Sequence, residues 1–192
     1  MHARFSALLL VCGILAAGVA SAQTPPQPQA KAHLEAAFTW DGVRASAAGG
    51  NGFWMQGAGF QLHDRFWRGL GVVADITGTH IVNINSSGVG LDLLTATFGP
   101  RYTWSRRKVS LYGQGLVGEA FSFNTLVPSP HGADSSDNSL AALAGGGVNV
   151  AVSPRVAVRL VEADWLLTQM PNSAGNTQND LRLSAGVVFR FR

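Results

Sequence analysis

Leu181-Arg-Leu-Ser-Ala-Gly-Val-Val-Phe-Arg-Phe-Arg192 closes the chain. Read at a period of two, Leu181, Leu183, Ala185, Val187, Phe189 and Phe191 share one face, while Asp180, Arg182, Ser184, Gly186, Val188 and Arg190 share the other. Alternation sustained over this length indicates a β-strand, because successive side chains leave a strand on opposite sides. The apolar face carries no charge, and the opposite face is built from small residues punctuated by arginine.

Working outward, the same pattern recurs. Leu34, Ala36, Phe38 and Trp40 oppose Glu35, Ala37, Thr39 and Asp41; Leu70, Val72, Ala74 and Ile76 oppose Gly71, Val73, Asp75 and Thr77. Leu94, Ala96, Phe98, Tyr102 and Trp104 oppose Leu93, Thr95, Thr97 and Arg101, and Leu140, Ala142, Ala144, Val148, Val150 and Val152 oppose a face of Ala, Leu, Gly and Asn149. Eight alternating runs are expected: 33–45, 53–63, 69–79, 91–104, 108–123, 138–152, 155–168 and 179–191. The run 155–168 keeps Arg159, Glu162 and Asp164 on one face only if a bulge sits near Leu160-Val161. The run 108–123 gives no secure facing. Tight connections at 64–68, 105–107 and 153–154 alternate with connections, mostly longer, at 46–52, 80–90, 124–137 and 169–178. Short turns on one rim and long loops on the other describe an eight-stranded antiparallel transmembrane up-and-down β-barrel, all-β, with both chain ends on the periplasmic side.

A soluble barrel of lipocalin type is the competing architecture, with apolar residues inside and charges outside. Composition weighs against it. The 192 residues are 46% hydrophobic and only 13% charged, roughly half the usual charged share of about 25%. Apolar side chains facing lipid, with small and polar ones filling a narrow lumen, accommodate that composition. Phe66, Trp67, Tyr102, Trp104, Phe189 and Phe191 then mark the periplasmic interface, and Trp40, Phe53, Trp54, Phe121, Phe123 and Trp165 the other. The 23 glycines have no three-residue period and the 8 prolines are few, which excludes collagen. The net charge of +3 comes from 14 basic and 11 acidic residues without a basic stripe along one element, so nucleic acid is not an expected partner.

Residues 1–22 read as a signal peptide: Arg4, an apolar stretch from Leu8 to Val19, and Ala20-Ser21-Ala22 as a cleavage sequence. Residues 23–31 form a Pro-rich periplasmic leader, and 32–192 the barrel domain. Cys12, the only cysteine, falls in the signal segment, leaving no disulfide, thiol nucleophile or cysteine metal ligand beyond it. No later stretch is long and apolar enough for a transmembrane helix.

The closing segment resembles the last strand of small Gram-negative outer-membrane barrels of the OmpA/OmpX type. The stretches Phe98-Gly-Pro-Arg-Tyr102, Ala144-Gly-Gly-Gly-Val148 and Val158-Arg-Leu-Val-Glu-Ala-Asp-Trp165 are similar to those of the porin family, or outer-membrane β-barrel domain group. The resemblance implies residence in the bacterial outer membrane, contact with its lipid, and delivery by periplasmic chaperones and the barrel-assembly machinery. It also implies that Phe189 and Phe191 supply the assembly signal, with Arg192 one residue beyond the usual terminal aromatic.

The functional candidates are inward charges: Glu35, Asp75, Arg101, Arg159, Glu162, Asp164, Arg182 and Arg190. Buried charges must be paired, so a salt-bridge plug is expected ahead of a proton or ion path. A lipid A-modifying enzyme would need His and Ser side by side with an orienting acid, and none of His33, His63, His80 or His131 has a serine two residues away. Asp134 and Asp137 make a weak calcium signal. Gly145-Gly146-Gly147 lacks the Lys-Ser/Thr of a phosphate loop. The expectation is therefore a non-enzymatic barrel, without cofactor or metal, that serves envelope structure or contacts an extracellular ligand through loops 80–90, 124–137 and 169–178. A narrow pore or conduit for small or hydrophobic solutes is the alternative.

Overall fold

The computed structural model describes residues 34–46, 52–84, 89–129, 132–170 and 177–191. The signal peptide (1–22), the leader (23–31), His33, His131 and Arg192 lie outside them. The alternating runs become eight strands: β1 Leu34–Ala45, β2 Phe53–Trp67, β3 Leu70–Ile81, β4 Leu91–Arg106, β5 Val109–Ser129, β6 Gly132–Ala151, β7 Val156–Thr168 and β8 Gln178–Phe191. Each pairs antiparallel with the next, and β8 returns to β1, so the barrel wall closes on itself.

The register fixes the barrel's shape. Followed from partner to partner, Asn149 leads to Arg159, Gly186, Thr39, Gly59, Thr77, Thr95, Ala120 and then Ser139, ten residues from the start on β6. Eight strands with that stagger tilt strongly and enclose a lumen just wide enough for side chains.

The end with the short turns, the start of β1 and the close of β8 is periplasmic in this architecture. Arg68 and Gly69 join β2 to β3 with φ of 41° and 97°, positive at both central positions as a type I′ hairpin turn demands. Arg107, between β4 and β5, also has positive φ, 53°. In the β6–β7 turn, Ser153 Oγ accepts from the backbone N–H of Arg155 and Val156 at 3.3 and 3.0 Å.

The two faces divide as the alternation implies, with the apolar set outward. Phe66, Trp67, Tyr102, Trp104, Phe189 and Phe191 are all exposed on the outer wall, as are Trp40, Trp54, Phe123 and Trp165. The bulge in β7 is present: register shifts between Arg159 and Glu162, and both Leu160 and Val161 face out. Strand β5, unassigned from its pattern, turns Tyr112, Gln114, Leu116, Ala120 and Ser122 inward.

Three expectations need correction. Phe53 points into the barrel, not to the interface. The stretch 124–137 is largely strand rather than loop: β5 and β6 stay paired to Ser129↔Gly132, with an irregularity between Phe123 and Val127. Backbone pairing overrides the turn-forming composition of that segment. The lumen, finally, is not filled by small and polar residues throughout. Its extracellular half packs Val43, Met55, Leu93, Leu116, Leu143 and Leu166 against one another.

Candidate functional site

Three tiers fill the lumen. At the periplasmic end, the Glu35 carboxylate accepts from Arg65 (3.3 Å) and Arg190 (3.2 Å), with His63 Nδ1 at 3.4 Å. Neighbouring strands bring these groups together: Glu35 sits opposite His63 on β2 and opposite Arg190 on β8.

The middle tier holds three guanidinium groups and three carboxylates, each 2% exposed or less: Arg101, Arg159 and Arg182 with Asp75, Glu162 and Asp164. Arg182 is the hub. One terminal nitrogen donates to Asp75 Oδ1 and Thr77 Oγ1, both at 2.9 Å; the other donates to Asp164 Oδ2 at 2.9 Å and Glu162 Oε1 at 3.2 Å. Arg159 lies 2.8 Å from Glu162 Oε2 and donates to Gln61 Oε1 at 2.7 Å and Asn149 Oδ1 at 3.2 Å. Arg101 donates to Gln61 Oε1 at 2.6 Å and to Gln114, and its guanidinium stacks 4.3 Å above the Tyr112 ring. Tyr112 donates its hydroxyl to Glu162. Gln61 donates to Asp75 and Glu162 at 2.7 and 2.8 Å, and Gln114 to Asp164 at 3.0 Å.

These groups come from seven of the eight strands, and the tier's formal charge is zero. Equal numbers of opposite charges, each bonded to several partners, is the condition under which desolvated ions persist inside a protein. Gly147 has a local reason here: a Cβ on it would stand 2.8 Å from Tyr112 Cζ, so a side chain at that lumen position would displace the ring under Arg101.

Toward the extracellular end, Asp41 accepts from Thr39 Oγ1 at 2.8 Å and from Ser184. Beyond it comes the apolar cluster around Met55, Leu93 and Leu166. The polar belt resists water by binding its own donors and acceptors, and the cluster resists it by offering none.

Of the eight inward charges singled out from sequence, six meet in the middle tier, while Glu35 and Arg190 form a separate pair below it. Gln61, Tyr112, Gln114, Asn149 and Asp41 were missed as participants. Two glutamines on lumen-facing positions, Gln61 of β2 and Gln114 of β5, would have been a usable signal, because an uncharged amide that bridges ions lies buried beside them. Among the histidines, His63 is buried at Glu35, and His80 lies on the outer wall with Nδ1 against Asp92, which also accepts from Asn124. Asp134's side chain lies outside the described residues; Asp137 is described, and no cluster of three potential metal ligands occurs among the described residues. Phe189 and Phe191 are exposed at the periplasmic end of β8, facing lipid.

On the outside, β5 loses its partner β4 beyond Phe123↔Asp92, and β6 loses β7 beyond Ala141↔Thr168. Apart from a backbone bond from Gln169 N–H to the Leu140 carbonyl at 3.2 Å, the β5–β6 hairpin from there on pairs with itself among the described residues.

A closed, eight-stranded antiparallel barrel with an apolar, aromatic-girdled outer wall defines a transmembrane barrel of the bacterial outer membrane. The family described as "Outer membrane protein beta-barrel domain" matches residues 7–191, and the chain belongs to it. Solved barrels share the fold at low identity. Neisserial surface protein A (NspA) superposes with a TM-score of 0.64 at 18% identity, over 83% of this chain and 97% of that one. Ail, the attachment invasion locus protein of Yersinia pestis, gives 0.56 at 16%, over 84% and 100%. OprG of Pseudomonas aeruginosa gives 0.53 at 11%, over 86% and 100%. A search of curated proteins found no match.

Proposed function

We propose that this protein is a sealed membrane anchor that presents the β5–β6 hairpin at the cell surface as a contact element, and that it carries out no chemistry. The observation that carries this reading is the self-paired hairpin. Between the Phe123↔Ser136 and Ser129↔Gly132 pairs β6 advances four residues, which at a rise of about 3.3 Å each lifts the tip roughly 13 Å past the last point where β4 supports it. An extended two-stranded ribbon anchored on a rigid barrel suits recognition by strand edge or tip. The ion belt and apolar cluster support an anchor over a pore.

The ligand class is expected to differ from that of Ail, whose structure has been solved in complex with the heparin analogue sucrose octasulfate. Residues 45–53, 80–92, 124–138 and 168–180 contain Asp92, Asp134, Asp137 and Asp180 and not one Lys or Arg. Arg44, exposed at the extracellular end of β1 beside Gly52, is a single cation against these acids, so a neutral or basic surface is the expected partner.

The decisive experiment replaces 124–137 by Asn-Gly and compares adhesion of cells displaying either form. Loss of adhesion with the barrel still folded supports the contact element; unchanged adhesion refutes it. Planar-bilayer recording addresses the alternative. Silence fits the anchor, while steady openings would establish the narrow pore instead.

A further inference from the structure

The periplasmic rim is the opposite of the extracellular one in charge. Its three turn segments, 65–70, 103–110 and 152–156, carry Arg65, Arg68, Arg106, Arg107, Lys108 and Arg155 and no acidic residue. Arg65 turns inward to Glu35, but Arg68, Arg106, Arg107, Lys108 and Arg155 are exposed. Glu35 is already engaged by Arg65, Arg190 and His63 inside the lumen, which leaves Asp64 as the other acid at this end among the described residues.

Two of these five cations sit where arginine is a poor choice for the backbone. Arg68 and Arg107 occupy positive φ, a region that favours glycine or asparagine. Arginine at both turns points to use of the side chain rather than to turn geometry.

The aromatic neighbours fix the depth of these cations. Phe66, Trp67, Tyr102 and Trp104 are exposed on the outer wall directly membrane-side of the turns, and the Arg68 guanidinium lies 5.7 Å from the Trp67 ring centre. Such rings settle at the headgroup level, so the turns just beyond them meet lipid phosphates. The cations are also distributed round the rim, on three of its turns, instead of clustering in one patch. A planar sheet of headgroups touches all three at once.

We propose that this rim is a binding collar for anionic phospholipid of the inner leaflet, recognised through its phosphate by Arg68, Arg106, Arg107, Lys108 and Arg155. The collar draws phosphatidylglycerol-type lipid into the barrel's first lipid shell and fixes the vertical position of the barrel from below.

The test uses the barrel refolded into vesicles, with Trp40, Trp54 and Trp165 replaced by Phe so that Trp67 and Trp104 report from the periplasmic side. Quenching by brominated phosphatidylglycerol is compared with quenching by brominated phosphatidylcholine. The expected result is a severalfold preference for the anionic lipid that falls to parity when all five cations are replaced by Gln, and in 0.5 M NaCl, with the heat-dependent gel shift of a folded barrel retained. Glycerol phosphate, compared with NaCl at an equal ionic strength too low for NaCl to change the preference, distinguishes sources: a preference that survives it belongs to the membrane surface, and one that it abolishes reduces the collar to a general phosphate site and overturns the lipid assignment. Equal quenching by both lipids, or a preference that the Gln variant keeps, also overturns it.

Discussion

The two halves of the lumen exclude water by different physics. In the middle and lower parts, Arg101, Arg159 and Arg182 neutralise Asp75, Glu162 and Asp164 through bonds that each demand a partner at a fixed place. In the upper part, Met55, Leu93, Leu143 and Leu166 need only contact. The first seal is directional and fails abruptly, because deleting one member strands the rest as unpaired buried charge. The second is nondirectional and fails in proportion to the volume removed. A barrel with both holds its strands in register through the belt and gains burial energy through the cluster.

The largest effect should come from Arg182→Ala. It removes five donor contacts and leaves Asp75, Glu162 and Asp164 with two cations, at an expected loss of about 3–5 kcal/mol, read as the urea midpoint for unfolding from vesicles. Paired with Asp164→Ala in a double-mutant cycle, it should show non-additivity of about 1–2 kcal/mol, whereas strict additivity would deny the coupling.

Leu166→Ala in the upper cluster should cost about 3 kcal/mol through the cavity it leaves. If it costs more than Arg182→Ala in the same assay, the ranking of the two seals is reversed.

Ala185→Lys against Ser184→Lys sharpens the comparison from outside. The two residues are adjacent, and Ala185 faces lipid while Ser184 faces Asp41. A lysine on the lipid wall should lower stability by about 2–3 kcal/mol. Ser184→Lys, corrected by the steric control Ser184→Met, should lower it less. The reverse order would mean that the charged face is not the lumen.

The smallest effect belongs to Thr39→Val. It keeps shape but deletes one of two hydroxyls on Asp41, for about 1 kcal/mol. No measurable change would make Asp41 a spectator of both seals.

Much of this contrast was legible in the residues. Alternation gave the facing of β1, β3, β4, β6 and β8, because a side chain such as Arg182 between Leu181 and Leu183 has only one tolerable direction in a bilayer. The phase slip at Leu160-Val161 was readable because Arg159, Glu162 and Asp164 cannot all face inward without it. Strand β5 was opaque for a physical reason: Gly113, Gly115 and Gly118 have no side chain to declare a face. The apolar upper lumen was hidden because Val43 and Met55 would suit either wall, and hydrophobicity distinguishes inside from outside only where one side is polar. The hairpin extension was masked by Ser, Asp and Gly in 132–139, residues that commonly end strands but are tolerated where cross-strand pairing continues.

The bulge in β7 makes parity a property of this strand. In plain alternation, residues three apart look away from each other, yet Arg159 and Glu162 meet at 2.8 Å because one extra residue converts an odd separation into an even one. The strand therefore has something like a reading frame. Deleting Leu160 or Val161 would remove only an outward aliphatic side chain, but it would restore strict alternation. Either Ala157 and Arg159, or Glu162, Asp164, Leu166 and Thr168, would then have to turn toward lipid. A deletion of one residue there should be as damaging as several charge substitutions at once, while exchange of Leu160 or Val161 for another aliphatic residue should pass almost unnoticed.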